Sequence, residues 1–193
     1  MNTKIILKSN GCNVVLYEDI IKDTGNLYKN IFDKTSWRKD TITLFGKKLL
    51  IPRYQSWYGD SGCNYKYSNI LLEPEKWFKE LFDLKVIVEN FTKHSFNCAL
   101  VNLYEKGSDY SAWHSDDEKE LGINPVIASI SLGETRRFHL RNKKTKETLR
   151  FDLKDGSLLL MSGKTQHLYS HQLAKTAKIV DPRINITYRK IIK

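Results

Sequence analysis

Seven residues near the end of the chain, Arg183-Ile-Asn-Ile-Thr-Tyr-Arg189, constrain the fold more than any other stretch. Side chains alternate between faces along a strand, so Ile184, Ile186 and Tyr188 point one way while Arg183, Asn185, Thr187 and Arg189 point the other. If the polar face meets solvent, the pattern is ordinary for an antiparallel sheet. If it faces the inside of a barrel, the guanidinium groups must be paired, because burying one alone is prohibitively costly. An anion would pair them, since the planar fork of arginine holds a carboxylate through two parallel hydrogen bonds. In a fully extended strand the two arginines stand about 20 Å apart, too far to grip one small molecule end to end. Barrel strands twist and bend, which lets both reach a dicarboxylate from different sides.

The preceding sequence supplies partners for such a strand. Cys98–Tyr104 reads as a strand with Asn102 and Tyr104 on one face. Residues 126–132, 138–141, 148–153 and 157–161 follow as short strands, with Gly133 and Asp155-Gly156 as turns. Earlier, residues 13–17 form a strand after the Asn10-Gly11 turn signal, and Thr24 caps a helix with Leu27, Tyr28, Ile31 and Phe32 on one face. Residues 41–45 and 49–51 make a β-hairpin about Gly46-Lys47, with Phe45 close to its tip. Residues 53–68 are loop-rich, with a short strand at Tyr65–Tyr67. Pro74 opens a helix whose stripe of Trp77, Leu81, Leu84, Val88 and Phe91 buttresses a sheet. The expected class is α+β: a double-stranded β-helix, or jelly roll, buttressed by helices and preceded by a hairpin. With 193 residues, 40% of them hydrophobic, the chain can bury the core of a single domain.

Lys and Arg outnumber Asp and Glu by 32 to 22, and the net charge of +10 points to a polyanionic partner. A merely basic soluble protein has the same balance. Cys12, Cys63 and Cys98 are odd in number and widely spaced, without CxxC, which indicates neither a disulfide framework nor a zinc ribbon and fits a reducing compartment. The sequence shows neither a basic then apolar leader nor a run of 18 apolar residues. An intracellular protein with no membrane association is expected, nuclear in a eukaryotic host and cytoplasmic otherwise.

His114 and Asp116, two apart on an extended segment, point to one face and can share an ion. His171 would complete a set of two imidazoles and one carboxylate, with His167 as its rival. Such a set covers one face of an octahedral metal and leaves up to three positions open, as in non-haem Fe(II) oxygenases. His-X-Asp alone is weak evidence, because surface polarity produces it as readily.

Taken in order, His114-Ser-Asp116, residues 126–133, Asp155-Gly-Ser-Leu-Leu-Leu-Met-Ser162, His171 and Pro182-Arg-Ile-Asn-Ile-Thr-Tyr-Arg189 resemble the successive motifs of the AlkB family of Fe(II)- and 2-oxoglutarate-dependent dioxygenases. The resemblance runs over about residues 40–192. It implies iron on His114, Asp116 and His171, the last preferred to His167 by its interval to Arg183. It implies that Arg183, aided by Tyr104, holds the distal carboxylate of 2-oxoglutarate, that Arg189 and Asn102 attend the carboxylate next to iron, and that Asn185 lies in the same face.

Leu44-Phe-Gly-Lys47, Pro52-Arg53, Gln55, Tyr58-Gly-Asp60 and Tyr65-Lys-Tyr67 resemble the branch that repairs alkylated bases in duplex DNA. The likeness implies that Phe45 fills the gap left by a flipped-out base, that Tyr67 and His114 sandwich that base, and that Tyr65 and Glu118 lie near its polar edge. Tyr67 stands where the branch has phenylalanine. On this reading residues 1–193 are one dioxygenase domain, with a nucleotide-recognition lid at about 40–68 and a jelly-roll catalytic core at about 97–192. Arg53 and the basic run Arg136, Arg137, Lys143, Lys144 and Lys146 would grip phosphates, although charge runs are also ordinary solvated faces.

The implied reaction uses Fe(II), 2-oxoglutarate and O2 to oxidise the methyl group of 1-methyladenine or 3-methylcytosine in alkylated, double-stranded DNA. It releases formaldehyde, succinate and CO2 from a monomeric enzyme. The rivals are the same chemistry on single-stranded DNA or RNA, a protein hydroxylase on the same scaffold, and a non-catalytic nucleic-acid-binding jelly roll.

Overall fold

The computed structural model of the protein describes residues 2–44, 47–67 and 70–192, with the side chains of 42–44, 47, 65–67 and 70–72 left out. Phe45 lies outside the described residues, as do the side chains of Tyr65 and Tyr67.

Strands β1 (Asn2–Ser9) and β2 (Cys12–Glu18) pair about the Asn10-Gly11 turn, where both residues have positive φ. Helix α1 (Thr24–Lys34) precedes the hairpin of β3 (Thr41–Leu44) and β4 (Lys47–Leu50). Then come β5 (Tyr54–Gly59), the small pair β6 (Tyr65–Tyr67) and β7 (Ile70–Leu72), and helix α2 (Lys79–Thr92). The remainder is β8 (Cys98–Tyr104), β9 (Ser111–His114), β10 (Ile127–Gly133), β11 (Arg136–Asn142), β12 (Thr148–Leu153), β13 (Leu158–Gly163), the short α3 (Thr165–Leu168), β14 (Tyr169–Leu173) and β15 (Arg183–Arg189).

Two antiparallel sheets carry the architecture: a large one in the order β1-β2-β13-β10-β15-β8-β5, and a smaller one in the order β12-β11-β14-β9. The expected jelly roll is present. Strand β15 lies well inside the large sheet, between β10 and β8. Its alternation is therefore between two interiors. Ile184, Ile186 and Tyr188 pack with Ile31 of α1 and Leu81, Leu84 and Val88 of α2, all at most 1% exposed. The polar face turns toward the small sheet, where Arg183, Asn185, Thr187 and Arg189 are also buried. Each of the buried leucines and isoleucines of the helix-covered face contributes about 1.5–3 kcal/mol relative to exposure, and this burial presses the helices onto the sheet.

Several elements differ from the sequence expectation. Asp23 rather than Thr24 caps α1: its carboxylate accepts from the backbone N–H of Asn26, while the Thr24 hydroxyl donates to Asp155. Helix α2 begins at Lys79, because Glu75 is drawn into pairing with β5 through Glu75 N–H to Trp57 O and Gly59 N–H to Glu75 O. Pro74 thus lies before the helix and not in its first turn. Residues 54–59, expected as loop, form β5 at the margin of the large sheet. Strands β1, β7 and β14 were not anticipated, and β9 ends at His114, two residues short of the Asp116 that the expected extended segment included.

Candidate active site

In the small sheet β9 and β14 pair so that His114 stands opposite His171, with ring centroids 4.2 Å apart. Alternation along β14 sends His171 and Leu173 inward, at 5% and 4% exposure. Asp116 lies two residues beyond the end of β9 and is held there by two bonds. Its backbone N–H donates to Gln166 Oε1 at 3.0 Å, and the neighbouring Ser115 hydroxyl donates to the carbonyl of Tyr169. Ligand atoms of His114, Asp116 and His171 all fall within 4.8 Å of one another. His167 faces elsewhere, accepting at Nε2 from the backbone N–H of Asn124 at 3.4 Å. The choice of His171 over His167 follows from this placement.

The three groups sit in the protonation states a cation needs. Burial, reinforced by the neighbouring His114, drives His171 down to about 3, and burial likewise lowers His114. Burial alone would raise Asp116; Arg189, whose Nη2 lies 2.9 Å from Oδ1, and then the two imidazoles overcome it and hold the carboxyl at about 2. His114 Nδ1 bonds to the Ala112 carbonyl at 2.7 Å, which as a donor places the ring lone pair on Nε2. The buried Nδ1 of His171 has no hydrogen-bond partner among the described residues. Two neutral imidazoles and one ionised carboxylate fit Fe(II).

Beside the triad, across the cavity between the sheets, Arg183 is 1% exposed. Its Nη2 donates to Ser131 Oγ at 2.9 Å, and among the described residues its Nε finds no acceptor and no carboxylate lies within 4.0 Å of it. Burial pulls its pKa down to about 10, so it stays cationic near neutrality beside the Tyr104 ring, 5.5 Å away. A sealed guanidinium with an unmet N–H fits the carboxylate of a small diacid. The other polar residues of β15 are differently occupied. Arg189 neutralises Asp116. Asn185 gives both amide protons away, to Ser129 Oγ at 2.7 Å and to the carbonyl of Ile130, and accepts from Thr187.

Two arginines expected on phosphates are elsewhere. Arg136 starts the inward-facing set of β11 and is 2% exposed; its guanidinium donates to the carbonyls of Asp109 at 2.7 Å and Ala174 at 2.8 Å, stapling two loops together. Arg53, 5% exposed, lines the cavity and donates to Asn102 Oδ1. Neither can meet a backbone phosphate as placed. Arg137 is exposed but paired with Asp152, and Lys143 bridges Asp117 and the carbonyl of Gln166. Lys144 and Lys146 are exposed on the loop between β11 and β12. Glu118 stands half-buried at the head of a short 3-10 turn. Gln166, fully buried beneath Asp116, is the residue sequence reasoning missed; no spacing or periodicity marks it, because its role is a contact across 50 positions.

A jelly roll with this triad and this buried arginine defines a class: the chain belongs to the 2OG-Fe(II) oxygenase superfamily, whose family model matches residues 15–189. The cofactors of that class are Fe(II), 2-oxoglutarate and O2. Within it the relatives are AlkB proteins, in keeping with the motifs. DNA oxidative demethylase ALKBH2 of Mus musculus is 38% identical over 159 residues, covering 78% of this chain and 66% of that protein. The alpha-ketoglutarate-dependent dioxygenase alkB homolog 3 of Homo sapiens is 35% identical over 181 residues, covering 89% and 63%. The chain spans between about half and two thirds of the length of the curated relatives it matches. The solved structure of OsALKBH1 superposes with a TM-score of 0.63 at 20% identity, covering 92% of this chain and 97% of that one, which supports the fold.

Proposed function

We propose that this protein is an AlkB-type dioxygenase that demethylates N-alkylated bases, of the 1-methyladenine and 3-methylcytosine kind, in DNA. The observation that carries the reading is the triad of His114, Asp116 and His171 in one cavity with the buried, incompletely bonded Arg183. When bound, the metal and 2-oxoglutarate supply an O2-driven oxidation that turns an N-methyl into an N-hydroxymethyl group, with succinate and CO2 formed; the product then sheds formaldehyde. The chain's own residues do the rest. Arg183 orients the diacid by its far end, Arg189 keeps Asp116 ionised, and the apolar walls Leu100, Phe138 and Leu173 exclude water from the reacting centre.

DNA as substrate is supported by the relatives named as DNA oxidative demethylases and by a net charge of +10. We take residues 40–68 as the lid that meets the nucleotide, with Phe45 filling the gap left by an extruded base, Tyr67 and His114 sandwiching that base, Tyr65 near its polar edge, and Lys144 and Lys146 meeting phosphates. Duplex DNA, a monomeric state and a reducing intracellular compartment belong to the same reading. Among the described residues no helix is long and apolar enough to cross a membrane.

The test is anaerobic loading with Fe(II) and 2-oxoglutarate, then O2 and a methylated oligonucleotide offered as duplex and as single strand. Succinate and unmethylated base should appear in equal amounts, faster on the duplex. Succinate no greater than in metal-free protein refutes the enzyme, and a preference for the single strand refutes the duplex assignment alone.

A further inference from the structure

Asn102 sits in β8 with Gln55 of β5 and Asn185 of β15 as its cross-strand neighbours. Its Oδ1 accepts from Arg53 Nε at 2.8 Å. An asparagine amide can present either its oxygen or its NH2 to a cavity, and the choice follows from what the other end is tied to. With the oxygen bound to a guanidinium, the NH2 is the end left for the cavity, a donor with no acceptor among the described residues.

Arg53 is held in turn from behind. Its Nη2 lies 3.5 Å from Gln55 Oε1, and Gln55 Nε2 donates to Asp40 Oδ2 at 2.6 Å. Gln55, 1% exposed, is thus polarised from both ends, a guanidinium on its oxygen and a carboxylate on its nitrogen. Among the described residues no carboxylate touches Arg53 within 4.0 Å; Asp40, which also pairs with Arg38 at 3.4 Å, reaches it through Gln55. Asp40 immediately precedes β3, at the base of the hairpin. A single row of donors and acceptors therefore runs from the hairpin base to the cavity.

We propose that Arg53 is a positioning residue for the cosubstrate: it fixes the amide of Asn102 with its N–H groups toward a 2-oxoglutarate carboxylate, and Gln55 and Asp40 fix Arg53. The inference rests on the reading of this cavity as a 2-oxoglutarate site. It places the segment leading into the lid among the determinants of cosubstrate affinity.

The test is calorimetric titration of Mn(II)-loaded protein with 2-oxoglutarate, for the wild type, Arg53→Lys, Asn102→Ala, the double variant and Asp40→Ala. Thermal melts establish that each is folded. Arg53→Lys keeps a charge but loses the planar fork, and should weaken 2-oxoglutarate about tenfold with Mn(II) affinity unchanged. Asn102→Ala should lose a similar factor, the double variant no more than the larger single loss, and Asp40→Ala about threefold. Wild-type affinity in Arg53→Lys, or losses that multiply in the double variant, overturns the positioning role. Should Arg53→Lys not fold, unchanged affinity in Asp40→Ala overturns the row. A wild type that binds Mn(II) but no 2-oxoglutarate overturns the functional reading itself, and the inference with it.

Discussion

Arg183 and Arg189 are the same residue type on the same face of the same strand, yet they have opposite needs. Arg189 has a carboxylate at 2.9 Å, while Arg183 donates to one hydroxyl and, among the described residues, has no carboxylate within 4.0 Å. Arg183→Met should therefore lower 2-oxoglutarate affinity by about 100-fold, roughly 3 kcal/mol, in a binding titration. It should leave the melting temperature of the metal-free protein unchanged or raised, since a buried cation without a counter-ion goes. A large drop in melting temperature would show that Arg183 serves the fold instead. The alternation made both arginines legible in the sequence; their difference was not, because the partner of Arg189 lies 73 residues away. Arg136 is hidden from sequence reading for a related reason: beside Arg137 it looks solvated, and only the strand register shows which of the two turns inward. Arg53 has no basic neighbour, and its burial comes from a contact with Asn102 across 49 positions.

At the scale of elements, α3 matters more than its four residues suggest, because it carries Gln166 to the backbone of Asp116. Gln166→Ala should weaken metal binding about tenfold in a competition titration, in the way loss of a ligand's supporting bond does, with the fold intact by circular dichroism. The β1–β2 hairpin is tied at its open end by Glu18, which accepts from Lys4 and Asn2 at 2.8 Å and is approached by Lys154. The bond from Lys4, then that from Asn2, holds its carboxyl at about 2 against an ordinary 4.5. A lowered carboxyl stabilises the fold above the unfolded-state value and loses that contribution as pH falls from 4.5 toward 2. The lysines are half exposed, so the contribution is about 1 kcal/mol and not the full value of the shift. Urea melts of wild type and Glu18→Gln should differ by this amount at pH 7 and converge through that acid window; a pH-independent difference would contradict the assignment. Strands β8, β12 and β15 were legible because their apolar and polar residues alternate or cluster as pleated faces require. Strand β5 was not: five of its six residues are buried, polar Gln55 and Ser56 included, so no pattern separates its two sides.

For the molecule as a whole, the jelly-roll class and the metal triad were readable from the order of motifs, while the way charge is distributed was not. Of the basic run expected to grip DNA, part is already engaged: Arg136 inside the fold on loop carbonyls, Lys143 at the surface on Asp117 and the carbonyl of Gln166. What remains for phosphates is smaller than the sequence implies. Replacing Lys144 and Lys146 together by Ala should reduce the slope of log affinity against log salt by about 2 for duplex DNA, close to 0.9 per phosphate contact. An unchanged slope would place the nucleic acid on another face. The metal centre depends above all on which histidine completes it. Single-turnover assays of wild type, His171→Ala and His167→Ala on a methylated duplex, scored for succinate and restored base, test this most directly. The wild type and His167→Ala should form both products in equal amounts while His171→Ala forms neither; activity in His171→Ala, or its loss in a folded His167→Ala, would contradict the centre described.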